Sequence, residues 1–227
     1  VVIFGDITGG HFNPAVTIGV FTTLGDYGKN WLFMVMIICS QIIGGFFAIG
    51  LTFFGTYNQP DYNNKTMTPA NPAQGGLPDN LLIDASFNMD LAVIVNEIFC
   101  TFLFVSVILM VKGKHTAGDR KGVCAAICVV ATLCAVVTGT NRLGASFNPA
   151  VAIAMTTNSV ARYGLPGDTP FNQTALTHYL YAYTLGPAIG GLLAGIFHLF
   201  HAKLHDPDHG ESQGQTYEEK QNLISHE

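Results

Sequence analysis

The chain repeats itself, and a repeat constrains architecture more than any single motif does, because both copies must satisfy one plan. Gly9-Gly10-His11-Phe12-Asn13-Pro14-Ala15-Val16-Thr17-Ile18 aligns, at an offset of 135, with Gly144-Ala145-Ser146-Phe147-Asn148-Pro149-Ala150-Val151-Ala152-Ile153, and seven of the ten pairs are identical. Further along, Ile43-Gly44-Gly45-Phe46-Phe47-Ala48 matches Ile189-Gly190-Gly191-Leu192-Leu193-Ala194, so the likeness reaches into the segment that follows each Asn-Pro-Ala. Two apolar segments precede the second motif, whereas only about a dozen residues precede the first. By symmetry, roughly 40 to 45 residues holding one whole helix and most of another are expected upstream of Val1 in a parent protein.

The segments around the repeats are long enough to cross a bilayer, which takes about 20 residues of helix. Residues 31–54, 91–111, 122–140 and about 176–201 qualify, and the second is interrupted only by Asn96 and Glu97. Only 11% of residues are charged and 49% are apolar, against about a quarter charged in soluble domains. Four such segments argue against a buried soluble bundle. Gly186-Pro187 and Gly190-Gly191 in the last segment suit close helix contact, since small residues let backbones approach. The five cysteines, Cys39, Cys100, Cys124, Cys128 and Cys134, all fall in these segments. Cys124 and Cys128 are one helical turn apart but lack the further ligands of a zinc site, so packing is the expected role. The net charge of −5, much of it in the tail, gives no sign of nucleic-acid binding.

Charge sets the topology. Lys112, Lys114, Arg120 and Lys121 crowd one short connection, which the positive-inside rule assigns to the cytoplasm, and Lys203 and Lys220 then fall on the same side. Residues 55–90 and 165–174 are left on the outer or luminal face. Each of these loops carries one glycosylation sequon, Asn64-Lys65-Thr66 and Asn172-Gln173-Thr174.

Asn-Pro-Ala is a helix-start signal, since asparagine caps well and proline at the first helical position has no N–H to leave unpaired. The apolar stretches after the two motifs are too short to span, which predicts half-helices over about 14–24 and 149–158. Irregular backbone at membrane depth is tolerated only where it is buried in protein or lines a watery cavity. Two inverted copies would meet start to start, with both positive dipole ends at mid-membrane repelling protons and cations. The amides of Asn13 and Asn148 would then donate to passing oxygens. A third triplet, Asn71-Pro72-Ala73, lies among Pro69, Gly75, Gly76 and Pro78 with no apolar half-helix after it, and reads as a decoy.

The run at 9–18 resembles the first pore signature of the aquaporins, the major intrinsic proteins. Asn148-Pro149-Ala150 with its preceding Gly-x-x-Phe resembles the second signature. Asn96-Glu97 and Gly186-Pro187 are similar to features of that family's fourth and sixth membrane helices, so the likeness covers nearly everything before His205. The resemblance implies an all-α membrane protein with six membrane helices plus two half-helices, one pore per subunit and a homotetramer. The first helix and most of the second would be absent from this chain. A channel domain over 1–205 would precede a cytoplasmic tail, 206–227. The family also implies pore-loop support by Glu97 and His11. Read from the residues alone, an acid such as Glu97 inside a span can equally signal ion coupling.

The chain departs from the family at the outer constriction, where an arginine normally stands three residues after the second asparagine. Val151 occupies that position, and the matching filter positions are Ala145 and Val136, all small and apolar. This resembles the plant vacuolar branch and predicts a wide filter admitting urea, ammonia, hydrogen peroxide or glycerol beside water. The Arg-Asp that usually follows the second motif in dedicated glycerol channels is replaced by Val151-Ala152. Arg142 is near enough in sequence to lend a charge at the pore mouth, or it is a solvated loop residue.

His198, His201 and His205 recur at helical spacing and read as interfacial anchors or as a pH or metal sensor. Glu219 with Leu223 and Ile224 resembles an acidic dileucine sorting signal, which would bring a sorting adaptor and an internal membrane. The reading is thus a multi-pass channel of the plasma membrane or of a vacuolar or endosomal membrane, needing no cofactor or metal. Other readings are a strictly water-selective pore, a secondary transporter, which also uses broken helices, and a junction-forming structural protein. An enzyme would need a clustered nucleophile and base, metal-ligand spacing or a phosphate loop, and none is visible.

Overall fold

The computed structural model describes residues 9–25, 27–56, 87–112, 121–139, 146–163 and 179–205. Six helices account for nearly all of them: α1 (Pro14–Thr23), α2 (Tyr27–Thr56), α3 (Phe87–Lys112), α4 (Lys121–Gly139), α5 (Pro149–Tyr163) and α6 (Leu180–His205). No strand occurs among the described residues, as expected for an all-α membrane protein. Tyr27–Thr52, Asp90–Val111 and Leu180–Leu204 are long and apolar enough to span a bilayer. The 19 residues of α4 sit within the spanning range of about 17–25. Ala145, Arg142, the sequons at Asn64 and Asn172, the Asn71 triplet, Lys114 and Arg120 lie outside the described residues. So does the tail with Glu219, Leu223 and Ile224.

The first half-helix matches its expected bounds closely, and the second outruns them. α1 stops at Thr23 because Leu24 and then Gly25, at φ 73°, turn the chain. Expected to end near 158, α5 instead continues to Tyr163. Asn158 and Ser159 are only moderate helix formers, and no glycine or proline interrupts the sequence before Gly164. At 15 residues α5 is still shorter than a span.

Three helices make the core. Val16 of α1, Phe104, Val105, Ile108 and Leu109 of α3, and Ala194 of α6 form one buried cluster. Glycines set the helix separations in it. A Cβ on Gly190 would stand 2.6 Å from the Ile98 carbonyl oxygen, and one on Gly186 would stand 2.7 Å from the Glu97 Cβ, so these two glycines let α6 close onto α3. On its other side α6 presents Gly191, whose added Cβ would collide with the Ala15 carbonyl of α1. Small-residue seams of this kind are how helices pack where lipid removes the hydrophobic drive between them. No described side chain of α2 is buried, and it presents Trp31, Phe33, Met36, Phe47 and Phe54 outward. An apolar surface of that extent suits lipid or further protein and not water.

Candidate functional site

The two aligned Asn-Pro-Ala motifs each begin a helix by the same bond. Asn13 is extended, with φ −156° and ψ 120°, and its Oδ1 accepts from the Ala15 N–H at 2.8 Å. Asn148 Oδ1 accepts from the Ala150 N–H at 3.1 Å and, at 3.4 Å, from that of Val151. With Oδ1 used for capping, Nδ2 is turned away from its own helix.

The two nitrogens cross over. Asn13 Nδ2 donates to the Phe147 carbonyl at 2.7 Å, and Asn148 Nδ2 donates to the Phe12 carbonyl at 3.1 Å. The starts of α1 and α5 therefore meet, each asparagine bonding the residue that precedes the other. A carboxamide nitrogen has two hydrogens, so each crossed bond uses one of the two.

The carbonyls are available because Phe12 and Phe147 have φ of 48° and 49°, the left-handed region. That conformation costs about 1–2 kcal/mol for a residue with a Cβ, which the crossed hydrogen bond, at about 1 kcal/mol net, largely offsets. The rings differ in environment: Phe147 is 3% exposed, packed with Cys100 and Val136, while Phe12 is 58% exposed.

Glu97 of α3 anchors the second loop. It is fully buried, and its Oε1 and Oε2 accept from the backbone N–H groups of Ser146 at 2.7 Å and Phe147 at 3.0 Å. Phe147 is thus held through both its N–H and its carbonyl. The two bonds tie α3 to the backbone just before the second motif. His11 sits with its ring edge-on to Phe21, centroids 6.5 Å apart and planes at 87°. A Cβ at Gly9, where φ is 74°, would come 2.8 Å from His11 Nε2, so the glycine makes room for the imidazole.

Hydroxyls complete both starts from different positions. Thr17 Oγ1 donates to the Asn13 carbonyl at 3.1 Å, and Ser146 Oγ donates to the Asn148 carbonyl at 2.9 Å. In the alignment Thr17 faces Ala152 and Ser146 faces His11, so the same acceptor is met from inside one helix and from before the other.

Of the filter positions, Val136 is buried in the cluster with Phe147, and Val151 is 43% exposed in the first turn of α5. Sequence reasoning did not find the left-handed phenylalanines, although phenylalanine at both 12 and 147 marked the position. It also passed over Gln41, the one long polar side chain in its apolar segment, whose Nε2 donates to Thr17 Oγ1 at 2.9 Å.

Membrane-length helices packed against two half-helices that meet at their starts define a helical membrane protein with a break in regular backbone between those starts. The sequence profile described as Major intrinsic protein matches residues 1–198, and the chain belongs to that family. Comparison with curated proteins finds none that matches. Members of the family are membrane channels for water or small solutes and not enzymes, so this is an integral membrane protein of that kind.

Proposed function

We propose that the protein is a passive channel with a wide filter, conducting water together with small uncharged solutes such as urea, ammonia, hydrogen peroxide or glycerol, and excluding protons and ions. The crossed asparagine bonds carry the reading of the pore centre: two helix starts converge there, each contributing a positive dipole end of about half a charge. Cations are repelled, and the remaining amide hydrogens of Asn13 and Asn148 serve neutral oxygens. Pro14, Ala15, Pro149 and Ala150 fix those starts, and Glu97 and His11 brace the loops.

The width rests on Val151, part-exposed in the first turn of α5, at the position where the resemblance would put an arginine. Val136 and Ala145 are its small partners, as in the plant vacuolar branch. Assembly as a homotetramer in the plasma membrane or an internal membrane belongs to the same proposal, as do glycans on Asn64 and Asn172 and an adaptor at Glu219, Leu223 and Ile224.

Stopped-flow shrinkage of proteoliposomes under sucrose, urea and glycerol gradients tests this. Wild type should pass water and at least one solute, and Val151→Arg should lose solute flux by about tenfold or more while keeping water flux, a barrier change of about 1.4 kcal/mol. Water flux alone in wild type identifies a strictly water-selective channel. Saturating, ion-dependent flux identifies a transporter.

A further inference from the structure

We propose that Gln41 is a positioning residue for the first half-helix, acting on the pore asparagine through Thr17; this rests on the channel reading above. Gln41 Nε2 donates to Thr17 Oγ1 at 2.9 Å, and Thr17 Oγ1 donates to the Asn13 carbonyl at 3.1 Å. That carbonyl also accepts the first helical bond, from the Thr17 N–H at 2.9 Å. Thr17 is fully buried and Asn13 nearly so, so the relay runs through protein from α2 to the residue whose side chain reaches Phe147.

The second half cannot copy this relay. The position aligned with Thr17 is Ala152, and the Ile43-Gly44-Gly45 to Ile189-Gly190-Gly191 alignment pairs Gln41 with Pro187, neither of which has a side-chain donor. Its hydroxyl comes from Ser146, which is itself held through its backbone N–H by Glu97. Glu97 thus reaches its motif from the span before it, and Gln41 reaches the first motif from the span after it. A neutral amide does so without placing a charge beside the pore start, and a hydroxyl that accepts one bond while donating another strengthens both.

A polar side chain on an otherwise apolar helix could instead serve only to glue α2 to α1, and the test separates the two roles. Gln41→Leu, Thr17→Val, the double variant and Thr17→Ser are compared with wild type for water permeability per inserted protein. They are also compared for hydrogen exchange of the Ala15 and Thr17 amides. A relay predicts that Q41L and T17V each lower permeability about fivefold, the worth of one ordinary hydrogen bond. The double variant should fall no further than either single one, and T17S should recover wild-type flux. Exchange at the two amides should quicken by a similar factor in the same three variants. Flux and exchange unchanged in Q41L, multiplying losses in the double variant, or failure of T17S to rescue overturns the proposal. A wild type that conducts nothing refutes the channel reading instead, and the exchange cycle still decides the relay. Should Q41L fail to insert, T17V against T17S decides it, since valine keeps the shape of threonine and removes only the hydroxyl.

Discussion

The two aligned Asn-Pro-Ala starts share a backbone, and among the described residues they are reached by different side chains. Phe12 and Phe147 have φ within a degree of each other, and each carbonyl takes the opposite asparagine. Around them, Glu97 fastens the second loop by two backbone N–H bonds, while the first half-helix is tied from α2 by Gln41 and Thr17. The crossed backbone is thus the shared element of the repeat, while the described side chains that reach it come from different helices. A central pair of dipoles works only if both copies keep the same pose, whereas any bracing that delivers the pose suffices.

The largest expected effect that probes this difference is Glu97→Ala. It leaves the part-buried Ser146 N–H and the buried Phe147 N–H without their acceptor, and each such loss costs about 1–3 kcal/mol. Thermal unfolding in detergent should show the variant grossly destabilised; a small change would mean that the second loop holds itself.

Glycine at the two phenylalanines separates shared strain from unshared packing. Relieving the left-handed φ is worth about 1 kcal/mol at either site, but removing the buried Phe147 ring costs about 3 kcal/mol. Phe147→Gly should therefore lose about 2 kcal/mol and Phe12→Gly should gain up to about 1 kcal/mol. Equal shifts in unfolding temperature would mean that the exposed Phe12 ring is also packed.

A finer contrast lies in the aligned pair Gly191 and Gly45. Gly191→Ala drives a methyl into the Ala15 carbonyl, whereas at Gly45 the nearest atoms are the Ala154 Cβ at 3.2 Å and the Ala150 oxygen at 3.4 Å. Overpacking predicts a loss of about 2–3 kcal/mol for Gly191→Ala and under about 1 kcal/mol for Gly45→Ala. The reverse order in detergent unfolding would contradict the seam between α1 and α6.

Much of this was legible in the residues themselves. Asn13-Pro14 and Asn148-Pro149 announce helix starts because capping is local chemistry. The extension of α5 past Asn158 was not legible, because weak helix formers without a breaker leave the end to tertiary packing. The resemblance singled out Glu97, but its partners, the Ser146 and Phe147 amides, lie 49 and 50 residues away and could not be read from its neighbours. The crossed bonds and the left-handed phenylalanines escaped entirely, since each half supplies the reason for the conformation of the other. Gln41 escaped because one amide in an apolar run has no pattern of its own.

The crossed bonds also set a timetable. Asn13 and Phe147 are 134 residues apart, and ribosomes add about 5–20 residues per second. On the order of ten seconds therefore passes between synthesis of the first asparagine and that of its acceptor. During that interval the newborn first half holds a polar turn without its final partner, inside or beside the insertion machinery. Completion of the pore is a late event of biogenesis, and a ribosome stalled after α4 would release a chain whose helices are made but whose centre cannot close.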